Sequence, residues 1–135
     1  MKREGNKAVV ERYVEAFNRG DLETLCALFA EDAVVYGVLG WGGIDKVKPI
    51  WAQLITSLRM QLRIESIVEE GDIVAVRYTE SGVFSAPFMG TPPTGKTYEV
   101  VAMEWFELRA GRILRRWGAR DSAAIYRQLG IPLSP

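Results

Sequence analysis

The side chains of this chain that can move protons are carboxylates, tyrosines, arginines, lysines and one cysteine, because none of its 135 residues is histidine. That absence removes the commonest general acid/base at neutral pH and the commonest metal ligand together, and no metal or cofactor site is read from the sequence. One carboxylate, Asp121, stands in WGARDSAAIYRQLG (Trp117 to Gly130), where a strand-like run gives way to a helical one. Asp is a favoured helix N-cap. A carboxylate at the edge of an apolar pocket instead has a raised pKa and exchanges protons near neutrality. Ile113, Trp117, Ala119 and Asp121 share one parity of the preceding run, and Arg116, Gly118 and Arg120 share the other. If Trp117 faces a pocket, Asp121 does too. Glu104 lies in the apolar run VVAMEWF. It is either solvated on an outer face, the usual fate of Glu, or turned inward and protonated, ready to donate a hydrogen bond to a developing oxyanion. Tyr13 is either a core aromatic or a phenol donor to a substrate carbonyl. Arg77 is a pocket anchor or a surface residue. Trp117, Tyr36, Trp41, Phe88 and Met89 are core residues or the wall for a flat hydrophobic ligand.

These residues need elements to position them. Val10, Tyr13, Val14 and Phe17 repeat at helical spacing, which predicts a first amphipathic helix. Gly20 suits its C-cap and Asp21 the next N-cap. Leu22, Leu25, Cys26 and Phe29 mark the inner face of a short second helix. DAVVYGVLG reads as a strand closed by Gly40. A third helix starts near Asp45, so that Pro49 falls in its first turn. Four β-type runs follow, QLRIESIV, DIVAVRYTESGVF, KTYEVVAMEWFEL and GRILRRWGA, with turns at EEGD and RAG. SAPFMGTPPTGK is an irregular loop. A last helix spans about Ser122 to Leu129 and stops at Gly130. Helices first and a strand meander after predict one α+β domain over residues 1–135, a cone-shaped curved antiparallel sheet with N-terminal helices on its concave face. Cones make pockets.

Lys plus Arg and Asp plus Glu each total 17, so the net charge is zero and predicts neither a nucleic-acid nor an acidic-membrane partner. Arg109, Arg112, Arg115, Arg116 and Arg120 read as a solvated strand face with local acid partners. Cys26 is the single cysteine, so no intrachain disulfide forms, which suits a reducing cytoplasmic setting. The charged start lacks the apolar stretch of a secretory signal, and no apolar run approaches a membrane span.

PFMGTPPTGKTYEVVAMEWFELRAGRILRRWGARDSAAIYRQLG resembles the SnoaL-like polyketide cyclases, through the loop from Gly90 to Lys96, the turn at Gly111, Trp117 to Asp121, and the closing Gln128 to Gly130. RYVEAFNRGDLETLCALFAEDAVV is similar to the opening of the wider superfamily that includes ketosteroid isomerase and nuclear transport factor two. The resemblance implies the cone-shaped fold, a homodimer, and a cofactor-free cyclase or isomerase acting on a small hydrophobic carbonyl substrate. It implies Asp121 as the acid/base of an aldol-type ring closure, Tyr13 as an oxyanion donor, and Glu104 near a second oxyanion acid. The position of the isomerase's base aspartate falls at Gly37, which speaks against a strict steroid isomerase. Ala119 leaves the Asp-Arg-Asp set of limonene-epoxide hydrolases incomplete. Many cyclases place histidine in the pocket and this chain has none. The alternative reading is a module of the same fold that binds or dimerises without chemistry.

Overall fold

The computed structural model describes residues 5–132. In chain order it contains α1 (Asn6–Asn18), α2 (Leu22–Ala27), β1 (Phe29–Gly37), β2 (Gly40–Gly42), α3 (Ile44–Leu58), β3 (Gln61–Glu70), β4 (Ile73–Val83), β5 (Thr97–Arg109), β6 (Arg112–Arg120) and α4 (Ser122–Leu129). The expected α+β architecture holds. The six strands form one curved, open sheet in the order β2-β1-β6-β5-β4-β3. Five strand neighbours make four antiparallel pairs and one parallel pair, β1 with β6. Among the described residues no helix is long and apolar enough to cross a membrane.

The stripe Val10, Tyr13, Val14 and Phe17 is buried, joined by Val9 and Ala16, so α1 lies with one face against the sheet. Asn18 fixes that docking from the end of the helix: its Nδ2 donates to the Leu62 carbonyl and its Oδ1 accepts from Leu62 N, both at 2.8 Å. α3 starts at Ile44, which makes Pro49 its sixth residue rather than part of the first turn. The hydrogen bond it removes is the one to the Asp45 carbonyl, at the helix's solvent-facing start, where the loss is tolerated. Phe29 opens β1 instead of closing α2, and the chain turns at Val38 and Leu39 before the short β2.

β6 departs from simple alternation. Glu107 pairs with Arg115 and the next residue, Leu108, with Ile113, so Leu114 is an extra residue in the ladder. Such a bulge reverses which parity faces inward. Ile113 is fully buried before it, and Arg116 is buried after it, while Trp117 is 38% exposed. Beyond the bulge the inward set is Arg116, Gly118 and Arg120, not Trp117, Ala119 and Asp121.

At the cone's other flank, a Cβ on Gly82 would collide with the Leu58 carbonyl and stand 2.5 Å from the Tyr98 ring. Gly82→Ala is therefore expected to lower stability by about 1–3 kcal/mol, read as a lower urea midpoint at unchanged slope.

Candidate active site

Between α1, α3, α4 and the concave face of the sheet lies a cavity that opens to solvent; its empty space, open solvent at the mouth included, is about 710 Å³. Its wall is apolar, with Phe17 from α1, Val35 from β1, Trp51, Leu54 and Leu58 from α3, Phe88 from the β4–β5 loop and Ile125 from α4. Its floor is polar: Tyr13 from α1, Glu104 from β5, and Arg116 and Arg120 from β6.

The strand register builds this floor. Glu104 pairs with Gly118, so the inward side chains two residues either side, Arg116 and Arg120, converge on it from both diagonals. Arg116 Nη1 donates to Glu104 Oε2 at 2.6 Å, Arg120 Nη2 reaches the same oxygen at 3.4 Å, and the Tyr78 hydroxyl donates to Oε1 at 3.0 Å. A Cβ at 118 would collide with Arg116 Nη1. Gly118 thus makes the room that the guanidinium fills. Behind the floor, Glu80 accepts from Arg120 Nε at 2.7 Å and from the Tyr98 hydroxyl at 2.8 Å. Among the described residues' buried side-chain polar atoms, Arg116 Nε is left without a partner.

Burial and the neighbouring charges set the protonation of these groups. Burial, then the Glu104 charge, push the Tyr13 phenol well above its ordinary value, and the same causes raise Tyr78. Burial, then the Glu80 charge, raise Tyr98. Burial raises Glu80 despite Arg120 and Tyr98. Burial alone would lower Arg116 and Arg120, but Glu104 for both, and Glu80 for Arg120, outweigh it, so both guanidiniums hold their protons. The floor therefore offers neutral phenols and fixed cations as donors.

Of the residues singled out from the sequence, the structure gathers Tyr13, Glu104 and Phe88 at the cavity. Glu104 points inward, but its oxygens accept from Tyr78 and the two arginines, so it stands as an ion-paired carboxylate rather than as the protonated donor expected. Asp121 is exposed and caps α4, with Oδ1 accepting from Ala124 N at 3.0 Å; its chain neighbours Arg120 and Ser122 line the cavity and it does not. Trp117, Tyr36, Trp41 and Arg77 are not cavity residues either. Arg77 and Trp117 lie on the outer sheet face, in a shallow groove with Met103 and Trp105. Met89 is 57% exposed, and its sulfur accepts from the Tyr126 hydroxyl at 3.4 Å. Sequence reading missed Glu80, Tyr78, Tyr98 and the inward turn of Arg116 and Arg120. A signal was present: Arg-x-Gly-x-Arg at period two, opposite a strand carrying an acid in an apolar run.

The outer face carries its own pattern. Val68, Ala75, Trp105, Trp117, Tyr36 and Trp41 are successive register partners, one residue from each of the six strands. Tyr36 stacks on Trp117 with centroids 5.1 Å apart and meets Trp41 edge-on at 5.1 Å. Val68, Trp41 and Trp105 are 60%, 66% and 50% exposed.

A family model described as SnoaL-like polyketide cyclase matches residues 7–129. The crystal structure of IdmH, a candidate polyketide cyclase from Streptomyces antibioticus, is 32% identical with a TM-score of 0.84, covering 95% of this chain and 100% of its own. AclR, a candidate hydroxylase from Streptomyces galilaeus, is 26% identical with a TM-score of 0.84, covering 94% of this chain and 97% of its own. A candidate polyketide cyclase from Xanthomonas campestris pv. campestris is 28% identical with a TM-score of 0.81, covering 93% and 99%.

Two substitutions separate a cap from a floor residue. Asp121→Ala is expected to cost about 1 kcal/mol and Asp121→Asn almost nothing, since Asn caps equally well. Glu104→Ala leaves two buried guanidiniums short of their carboxylate and is expected to cost about 3–5 kcal/mol. Chemical denaturation of the three variants beside the parent protein checks both.

Proposed function

This chain belongs to the SnoaL-like polyketide cyclase family, and from that premise and the cavity we propose a cofactor-free cyclase acting by acid/base chemistry on a small hydrophobic carbonyl compound. The observation that carries the reading is a carboxylate, Glu104, held together with Tyr13 and Arg116 on the floor of an apolar cavity. A substrate carbonyl oxygen accepts from the Tyr13 hydroxyl, beside the Arg116 guanidinium. Glu104 takes the proton from the carbon α to that carbonyl, and the enolate is stabilised where water is scarce and each hydrogen bond is strong. The enolate carbon attacks a second carbonyl of the same molecule and forms the ring bond. The proton on Glu104 then passes to the new alkoxide, so the step balances without oxidant, reductant or water. The apolar wall holds the substrate folded for that closure. Asp121 carries the acid/base role in the family resemblance; Glu104 is assigned it here because it lies in the cavity and Asp121 faces solvent. AclR, described as a candidate hydroxylase on a closely similar frame, is a reminder that the fold hosts more than one chemistry.

One surface supports a second proposal, that the protein works as a homodimer through the outer face. The row from Val68 to Trp41 is uncharged and largely exposed, and contiguous apolar surface of this kind marks an association site. Sedimentation velocity is expected to give a dimer for the parent protein and a monomer for Trp105→Glu; a monomeric parent protein removes the proposal.

The chemistry is tested with 2-tetralone in D₂O, whose α-protons are followed by NMR. The protein is expected to accelerate their exchange over buffer. Glu104→Gln should abolish the acceleration and Glu104→Asp should reduce it, on the order of 10²-fold for the loss of a positioned base. Asp121→Asn should retain it. No acceleration by the parent protein sinks the reading. Loss in Asp121→Asn with retention in Glu104→Asp moves the proton to Asp121.

A further inference from the structure

We propose that Glu80 is a positioning residue for the cavity: working through Arg120, it fixes the place and the charge environment of the Glu104 carboxylate. This rests on the reading that Glu104 moves the proton. Glu80 is fully buried and is not among the cavity's lining residues, so it touches no substrate. Both its oxygens are held, Oε2 by the Tyr98 hydroxyl at 2.8 Å and Oε1 by Arg120 at 2.7 Å. Arg120 is the shared element. Its Nε and Nη2 both lie 2.7 Å from Glu80 Oε1, while Nη2 is 3.4 Å from Glu104 Oε2. The guanidinium is thus drawn away from the cavity carboxylate and toward Glu80. Arg116, at 2.6 Å, is left as the close cation of Glu104.

Packing does not require a carboxylate at position 80, since a buried ion pair is often replaceable by apolar side chains of similar volume. Its effect is electrostatic. Glu80 restrains Arg120 and adds a second negative charge near Glu104, and both make the Glu104 carboxylate a better proton acceptor than two full arginine contacts would leave it. The groups facing this pair are Tyr13 from α1, Tyr78 from β4, Tyr98 from β5, Arg116 and Arg120 from β6, and Tyr126 from α4. Burial raises all four tyrosines, and both arginines keep their protons.

Removing the Glu80 charge lets Arg120 close on Glu104 and deletes a repulsion. Both favour ionised Glu104, so its midpoint falls and its basicity with it. The experiment is a ¹³C NMR titration of glutamate side-chain carboxyls in the parent protein and Glu80→Gln, with Glu104 assigned by its absence in Glu104→Gln. The same proteins are run in the 2-tetralone exchange assay. The expected result in Glu80→Gln is a Glu104 midpoint lower by about half a unit or more. The acid limb of kcat/KM should shift down with it, and kcat should fall by up to about threefold per half unit of that shift while KM stays within about twofold. An unchanged Glu104 midpoint overturns the proposal, whatever the effect on rate. Should Glu80→Gln fail to fold, Tyr98→Phe withdraws one hydrogen bond from Glu80 and leaves the arginines in place. It is expected to move the midpoint in the same direction by less, and no movement there also overturns the proposal. If the parent protein exchanges 2-tetralone no faster than buffer, the catalytic reading falls while the titration still decides the coupling.

Discussion

Two carboxylates and two guanidiniums share the closed end of a cone made otherwise of apolar side chains, and they are tolerable there only because they satisfy one another. An unpaired charge at that depth would cost several kcal/mol. The pairing demands that Glu104 and Glu80, on β5 and β4, face Arg116 and Arg120, on β6, across the ladder. That in turn fixes the register of three strands, places Gly118 where the Arg116 guanidinium must lie, and sets the buried Tyr78, Tyr98 and Tyr13 as neutral donors around the charges. The helices close over a floor whose geometry the sheet has already determined.

The extra residue at Leu114 is the hinge between sequence and site. Helix α1 was legible because its stripe repeats at 3.6 residues and nothing interrupts it, and α4 because Asp121 and Gly130 mark its limits. The four long strands were legible from β-branched runs and their turns. The site was not, because a bulge leaves no compositional mark. Alternation counted through Leu114 sends Trp117 and Asp121 inward; alternation restarted after it sends Arg116 and Arg120 inward. Charged side chains are read as solvated by default, so parity and hydropathy agreed on the wrong face of β6. The parallel pairing of β1 with β6 was equally hidden, since it joins segments far apart in the chain.

The same reversal explains the outer face. Trp105 and Trp117 are register partners, and the residues flanking them in the row are Tyr36, Trp41, Ala75 and Val68. The sequence pattern leaves Trp117, Tyr36 and Trp41 open between core and cavity wall, and they are neither. In the structure, the wall is built from aliphatic residues of α3 with Trp51, Phe17 and Phe88, and the aromatic row stands on the opposite side of the sheet. One sheet thus carries a charged network lined by an apolar wall on its concave side and an uncharged aromatic stripe on its convex side.

The floor's hydrogen-bond inventory constrains the ligand more tightly than the size of the cavity does. Glu104 accepts from Tyr78, Arg116 and Arg120, and Glu80 from Tyr98 and Arg120. The Tyr13 phenol, raised by burial and by the Glu104 charge, keeps its proton and stands as a donor at the cavity floor. The network is already neutral, so an anion adds an uncompensated charge to an apolar cavity, whereas a carbonyl oxygen accepts the hydrogen bond and remains uncharged until the enolate forms. A carbonyl compound is therefore favoured twice: in the ground state by the Tyr13 donor, and along the reaction by the neighbouring arginine cations, whose attraction grows as negative charge develops on the oxygen.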